Sequence, residues 1–120
     1  MIELRIKPMP APRQSRSDLW NPRECVLRYR AYRDELRLRC REAGYEQGDT
    51  LDAVFVLPMP SSWSKKKRDE MRGTPHMVKP DTDNIVKGVL DAFLKQDGFV
   101  WKIAAEKRWG DVGTILLRPH

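Results

Sequence analysis

KPDTDNIVKGVLDAF, residues 79–93, decides how the rest of the chain is read. Pro80 disfavours helical backbone at Lys79, so a helix begins only beyond it. Ile85, Val86, Val89, Leu90, Phe93 and Leu94 recur at helical spacing, which predicts a helix over 82–95 with a wide apolar face. QDGF at 96–99 ends it, with Gly98 as the turn residue. The mouth of this helix carries Asp81 and Asp83, with Asn84 beside them and Lys87 one turn on. Asp83 and Lys87 are spaced i, i+4 and share a face, which Asp91 continues, away from the apolar stripe.

Two readings of the acids compete. Aspartates cap helix starts and favour the dipole there, and Lys87 would then be a surface partner of Asp83. Capping accounts for one acid and leaves the set of acid, acid, amide and lysine unexplained. In the other reading, Asp81 and Asp83 point to the same side of extended chain as residues i and i+2. Two close carboxylates repel unless something positive lies between them. Magnesium suits that place, because it takes one or two carboxylates, keeps several waters and completes its shell with substrate phosphate. The chemistry is then phosphodiester hydrolysis, with Lys87 stabilising charge on the reacting phosphate or leaving oxygen.

Outward from this stretch, IELRIK at 2–7 alternates as a half-buried strand and PMPAP stops it. A polar loop over 8–20 carries Arg13 and Arg16. NPRE at 21–24 predicts a helix start, with Asn21 as N-cap, Pro22 at the first position and Glu24 completing a capping box. This helix runs to about Ala43, with Gly44 as its stop. Cys25, Tyr29, Tyr32, Leu36, Cys40 and Ala43 form its apolar stripe, and Arg30, Arg33, Arg37 and Arg41 a basic one.

LDAVFVLPMP at 51–60 reads as a buried strand. SSWSKKKRDEMRG at 61–73 reads as a solvated turn in preference to a short helix, and 74–80 as irregular. FVWKIAAEKRW at 99–109 and TILLRP at 114–119, separated by GDVG, are the last strands. The order β-α-β-(α)-α-β-β predicts an α+β fold as a single small domain over 1–120, with a mixed or mostly antiparallel sheet packed against two main helices.

The 120 residues carry a net charge of +6 and a pI near 9.6, a balance that points to a polyanion such as nucleic acid. Arginines outnumber acids on the first helix, so local pairing cannot neutralise it. Arg13, Arg16, Arg30, Arg33, Arg37, Lys65, Lys66 and Lys67 are the candidates for phosphate contact. Trp63, Trp101 and Trp109 could stack on exposed bases, although Trp101 reads as core or interface. Cys25 and Cys40 lie on one predicted helix about 22 Å apart, too far for a disulfide. The histidines are isolated and no zinc-ligand spacing occurs. AVFVL at 53–57 is too short to span a membrane, and MIELRIKPMP lacks the apolar core of a signal peptide, so the expected location is the cytoplasm.

The run DTDNIVKGVLDAF followed by DGFVW resembles the RusA family of Holliday-junction resolvases, and IKPMPAPRQSR resembles that family's early strand, proline-rich loop and basic segment. The resemblance covers most of the chain and is most specific over 79–101. It implies a homodimeric, magnesium-dependent endonuclease, often prophage-encoded, that binds four-way DNA junctions and cuts two strands symmetrically. It implies that Asp81 and Asp83 hold the metal, that Lys87 is catalytic and that Asn84 supports them. One departure follows Trp101, where Lys102–Ile103 stand in place of the family's acidic pair. Asp97 and Glu106 are then the candidate substitutes for a third carboxylate, since Asp91 lies about 12 Å along the helix from Asp83. The alternative implied is a junction- or nucleic-acid-binding protein of the same fold that cuts poorly or not at all.

Overall fold

In the computed structural model, which describes residues 1–93 and 99–119, the elements follow the predicted order. They are β1 (Ile2–Leu4), a 3-10 helix (Arg16–Leu19), α1 (Glu24–Ala43), β2 (Thr50–Pro58), α2 (Lys65–Met71), α3 (Thr82–Phe93), β3 (Lys102–Gly110) and β4 (Thr114–Leu117). The strands form one mixed sheet in the order β1-β4-β2-β3. β4 pairs antiparallel with both β1 and β2, whereas β2 and β3 run parallel, from Thr50↔Lys102 to Pro58↔Gly110. The crossover between those parallel strands contains α2 and α3, and it places the acidic mouth of α3 beside β3. The fold is α+β, as the element order predicts.

Burial alternates along β2: Leu51, Ala53, Phe55 and Leu57 are buried and their neighbours half-buried. This face packs against α1 and α3, and Ile115 and Leu117 of β4 join the same core. α3 contributes Ile85, Val86, Val89 and Leu90, as its periodicity requires, with Phe93 half-buried; Leu94 and the Gly98 turn fall outside the described residues. Gly88 allows α3 to approach the proline-rich loop, because a Cβ there would lie 3.0 Å from the Met9 carbonyl. The Ala11 N–H donates to the Asn84 carbonyl at 3.1 Å across the same contact.

α1 starts two residues later than predicted, with Arg23 and not Asn21 in the capping position. Asp18 governs this turn. It is buried and accepts hydrogen bonds from the Ser15 N–H at 2.8 Å, the Arg23 N–H at 3.1 Å and the Arg23 guanidinium. The Arg23 side chain, then the backbone donors of Ser15 and Arg23, hold the Asp18 carboxyl far below the usual carboxylate range. Val26, in place of half-buried Cys25, joins the buried stripe with Tyr29, Tyr32, Leu36 and Cys40, while Ala43 is exposed. Gly44 ends the helix at φ 73°, and the Tyr45 N–H returns to the Cys40 carbonyl at 2.9 Å, the pattern of a Schellman stop. Both cysteines are free thiols, and burial pushes that of Cys40 up to about 12.

The KKKR block is a helix and not a turn. The Ser64 hydroxyl caps α2 by accepting from the Lys67 N–H at 3.2 Å, and Arg68 donates to the Pro60 carbonyl at 2.9 Å. Arg72, just beyond α2, forks onto Asp111 at 2.8 and 3.0 Å, which ties the helix end to the β3–β4 turn. β1 stops at Leu4 where 2–7 was expected, because the chain turns with the Ile6 N–H donating to the Leu4 carbonyl. Among the described residues no helix is long and apolar enough to cross a membrane.

Candidate active site

The acidic stretch is delivered by residues 73–81, which run along the free edge of β3. The Gly73 N–H donates to the Trp109 carbonyl at 2.8 Å, the Trp109 N–H to the Thr74 carbonyl at 3.0 Å and the His76 N–H to the Lys107 carbonyl at 3.0 Å. Buried His76 packs its ring on Trp109, with centroids 4.1 Å apart. Burial, and then the charge of Lys107, lower the His76 pKa. Beyond His76 the Lys107 ammonium donates to the Val78 and Pro80 carbonyls, each at 2.6 Å. The chain then passes through Asp81 into α3.

Asp81 stands at the capping position of α3, because its carbonyl accepts from the Ile85 N–H at 3.2 Å. Asp83 lies in the first turn, and its Oδ1 accepts from the Asn84 N–H at 2.9 Å. Asp81, Asp83, Asn84 and Lys87 are all exposed. Two carboxylates therefore stand at the positive end of a helix, open to water. Lys87 does not pair with Asp83. Its Nζ lies 3.8 Å from Asp91 Oδ1, and Asp91 in turn accepts from the Tyr29 hydroxyl at 2.9 Å. That arrangement leaves Asp83 without the lysine that the capping reading assigned to it.

An open groove of about 530 Å³ lies beside these groups, between α3 and β3. Thr82, Asp83 and Lys87 line its polar side, and Val86, Leu90, Ile103 and Ala105 its apolar side. Hard oxygen donors with free access for water suit magnesium, so Asp81 and Asp83 fit a divalent cation. Among the described residues no group of three or more His, Cys, Asp or Glu side chains is placed to hold a metal. Glu106 belongs to the opposite face of the sheet: it pairs with Val54 in register, outside the buried alternation, and its carboxylate meets Arg108 at 2.6 Å. Asp97 lies outside the described residues.

The phosphate-contact candidates divide by their surroundings. Arg13, Arg16, Lys65, Lys66 and Lys67 are exposed, and Lys67 Nζ sits 4.4 Å from the centre of the Trp63 ring. The α1 arginines are engaged within the fold. Arg30 donates to the Asp18 carbonyl at 3.0 Å, Arg33 lies over the Tyr29 ring at 5.1 Å, and Arg37 donates to the Ala92 carbonyl and to Asp34. Trp63 and Trp109 pack on each other at 4.8 Å. Trp101, expected in a core or interface, is 71% exposed and donates its indole N–H to Asp49 at 3.0 Å. Sequence reasoning missed Lys107. Its signal was a lysine on the inward register of β3, between Ala105 and Trp109 and opposite buried Phe55.

A family model described as endodeoxyribonuclease RusA matches residues 5–118 of the 120. No curated protein matches the chain, and no solved structure does.

Proposed function

The chain belongs to the endodeoxyribonuclease RusA family, nucleases of Holliday junctions, and on that premise we propose that it is a magnesium-dependent endonuclease that resolves four-way DNA junctions by paired, symmetric phosphodiester cleavage. The observation that carries this reading is the mouth of α3: Asp81 and Asp83 exposed at its positive end, with Lys87 exposed one turn on. Asp81 and Asp83 would hold the cation. When bound, magnesium supplies charge neutralisation at the phosphate and a more acidic water.

The remaining work belongs to the chain's own groups. Lys87, 3.8 Å from Asp91, lines the same groove as Asp83, and it would stabilise charge on the phosphoryl oxygens or the leaving oxygen. Asn84 supports the segment by accepting the Ala11 N–H at its carbonyl. The exposed cations Arg13, Arg16, Lys65, Lys66 and Lys67 attract the DNA backbone, with half-buried Arg30 and Arg33 and exposed Arg37 of α1 adding to the field. Cutting two strands at one junction needs two such sites, so the active species is a homodimer. A cytoplasmic, prophage-linked role in recombination and repair fits this activity.

The second reading is a junction-binding protein of the same fold with weak or no cleavage. It is favoured by the position of Glu106, which points away from Asp81 and Asp83 and is neutralised by Arg108. A synthetic four-way junction incubated with magnesium or with chelator separates the two. Magnesium-dependent symmetric nicks support the nuclease; tight binding with intact strands supports the binder.

A further inference from the structure

We propose that Lys107 is a positioning residue for Asp81: its ammonium clamps the chain that carries the acid against β3. This rests on the reading of Asp81 as a metal-holding carboxylate. Among the described residues, no backbone–backbone hydrogen bond involves residues 77–80. This stretch is also exposed, apart from half-buried Pro80, so packing does little to fix it. The two carbonyls that Lys107 binds, those of Val78 and Pro80, belong to the last turn of chain before Asp81. One ammonium holding both at 2.6 Å fixes the direction in which the backbone enters α3, and Asp81 inherits that direction.

The choice of lysine has a physical reason. Position 107 is on the inward register of the edge strand, opposite fully buried Phe55. A half-buried ammonium there costs free energy unless its donors are met, and two short charge-assisted bonds take two of its three N–H groups. An apolar residue would serve packing alone. The lysine also reaches past the strand edge to the segment beside it, which connects the register of β3 to the acidic site. The Lys107 carbonyl holds the His76 N–H at the near end of the same segment, so one residue grips it at both ends.

The test compares Lys107→Met and Lys107→Arg with the wild type. Three quantities are measured: backbone ¹⁵N order parameters of the non-proline residues over 77–83 without metal, Mn²⁺ affinity from its paramagnetic resonance signal, and junction cleavage alongside junction binding in chelator. In the Met variant, the order parameters should fall within 77–83, while Mn²⁺ affinity and single-turnover cleavage fall by roughly ten- to a hundredfold, as for groups that orient metal ligands. Junction affinity in chelator should stay within twofold, and the Arg variant should recover most of the loss. A lower melting temperature in both variants with unchanged Mn²⁺ affinity and cleavage would make Lys107 a stability residue and overturn the proposal. If the wild type itself neither binds Mn²⁺ nor cuts, the metal reading of Asp81 fails, and the order parameters alone judge the clamp. Unaltered order parameters at 77–83 in the Met variant would then refute it.

Discussion

Tyr29 and Asp91, sixty-two residues apart, share a 2.9 Å hydrogen bond that joins α1 to α3 on the side facing Lys87. The Tyr29 ring is buried, and burial followed by the Asp91 bond raises its hydroxyl well above the ordinary tyrosine range, so it donates at all ordinary pH. The bond holds the carboxylate that holds the lysine. Tyr29→Phe should cost about 1 kcal/mol of unfolding free energy in urea, because half-exposed Asp91 can turn to water for its lost donor. It should also lower the rate of junction cleavage more than junction affinity, since Lys87 loses its anchor and the basic surface is untouched.

The cations should separate into two behaviours. Replacing Lys65, Lys66 and Lys67 with alanine should weaken junction binding and reduce the salt dependence, lowering the slope of log K against log salt by about 2 to 3. Stability should change little, because all three are exposed. Arg37→Ala should do the reverse. Its guanidinium holds the Ala92 carbonyl at the end of α3, so stability should fall by about 1 kcal/mol with a smaller change in salt slope. Binding isotherms at three salt concentrations and urea titrations check both.

His76 gives a pH dependence of known sign. Its folded pKa is lowered by burial and by the nearby Lys107 charge, relative to an ordinary value of 6.5. As pH falls, the unfolded state takes up the proton first. The stability due to neutral His76 is therefore complete above about pH 6.5 and is lost as pH drops through the folded value. The melting temperature should decline between pH 7.5 and 5.5 on the order of that linkage, and His76→Gln should flatten the decline over this window.

Much of this architecture was legible in local pattern. The apolar spacing of α3 and the alternation of β2 each depend on neighbours within a few residues, and both elements form where the pattern puts them. What was not legible depended on distant partners. Residues 61–73 read as a solvated turn in preference to a short helix, yet Arg68 on Pro60 and Arg72 on Asp111 anchor α2 there. The start of α1 moved from Asn21 to Arg23, where buried Asp18, in the loop before it, accepts the Arg23 N–H. At the site, Asp81, Asp83 and Lys87 were visible from their spacing in one segment. Asp91 was visible on the face of Lys87, but its bond to Tyr29 and the grip of Lys107 on the chain before Asp81 were not, because the first needs another helix and the second needs a strand edge.

Core packing offers a check that is independent of function. Leu36 is completely buried where α1 meets the sheet and α3. Leu36→Ala should cost about 3 kcal/mol in unfolding free energy, from lost burial and the cavity left behind. Leu27→Ala, on the exposed side of the same helix, should stay within about 0.5 kcal/mol of the wild type.

The central claim is that Asp81 and Asp83 hold a metal against a DNA phosphate. The most direct measurement is cleavage of a synthetic four-way junction by the wild type and by Asp81→Asn, each with magnesium and with chelator. The account predicts paired symmetric nicks only in the wild type with magnesium, and a loss of at least a hundredfold or so in the variant, whose junction binding in chelator remains. Cleavage at equal rates by the wild type and Asp81→Asn would contradict it, as would wild-type nicking that persists in chelator.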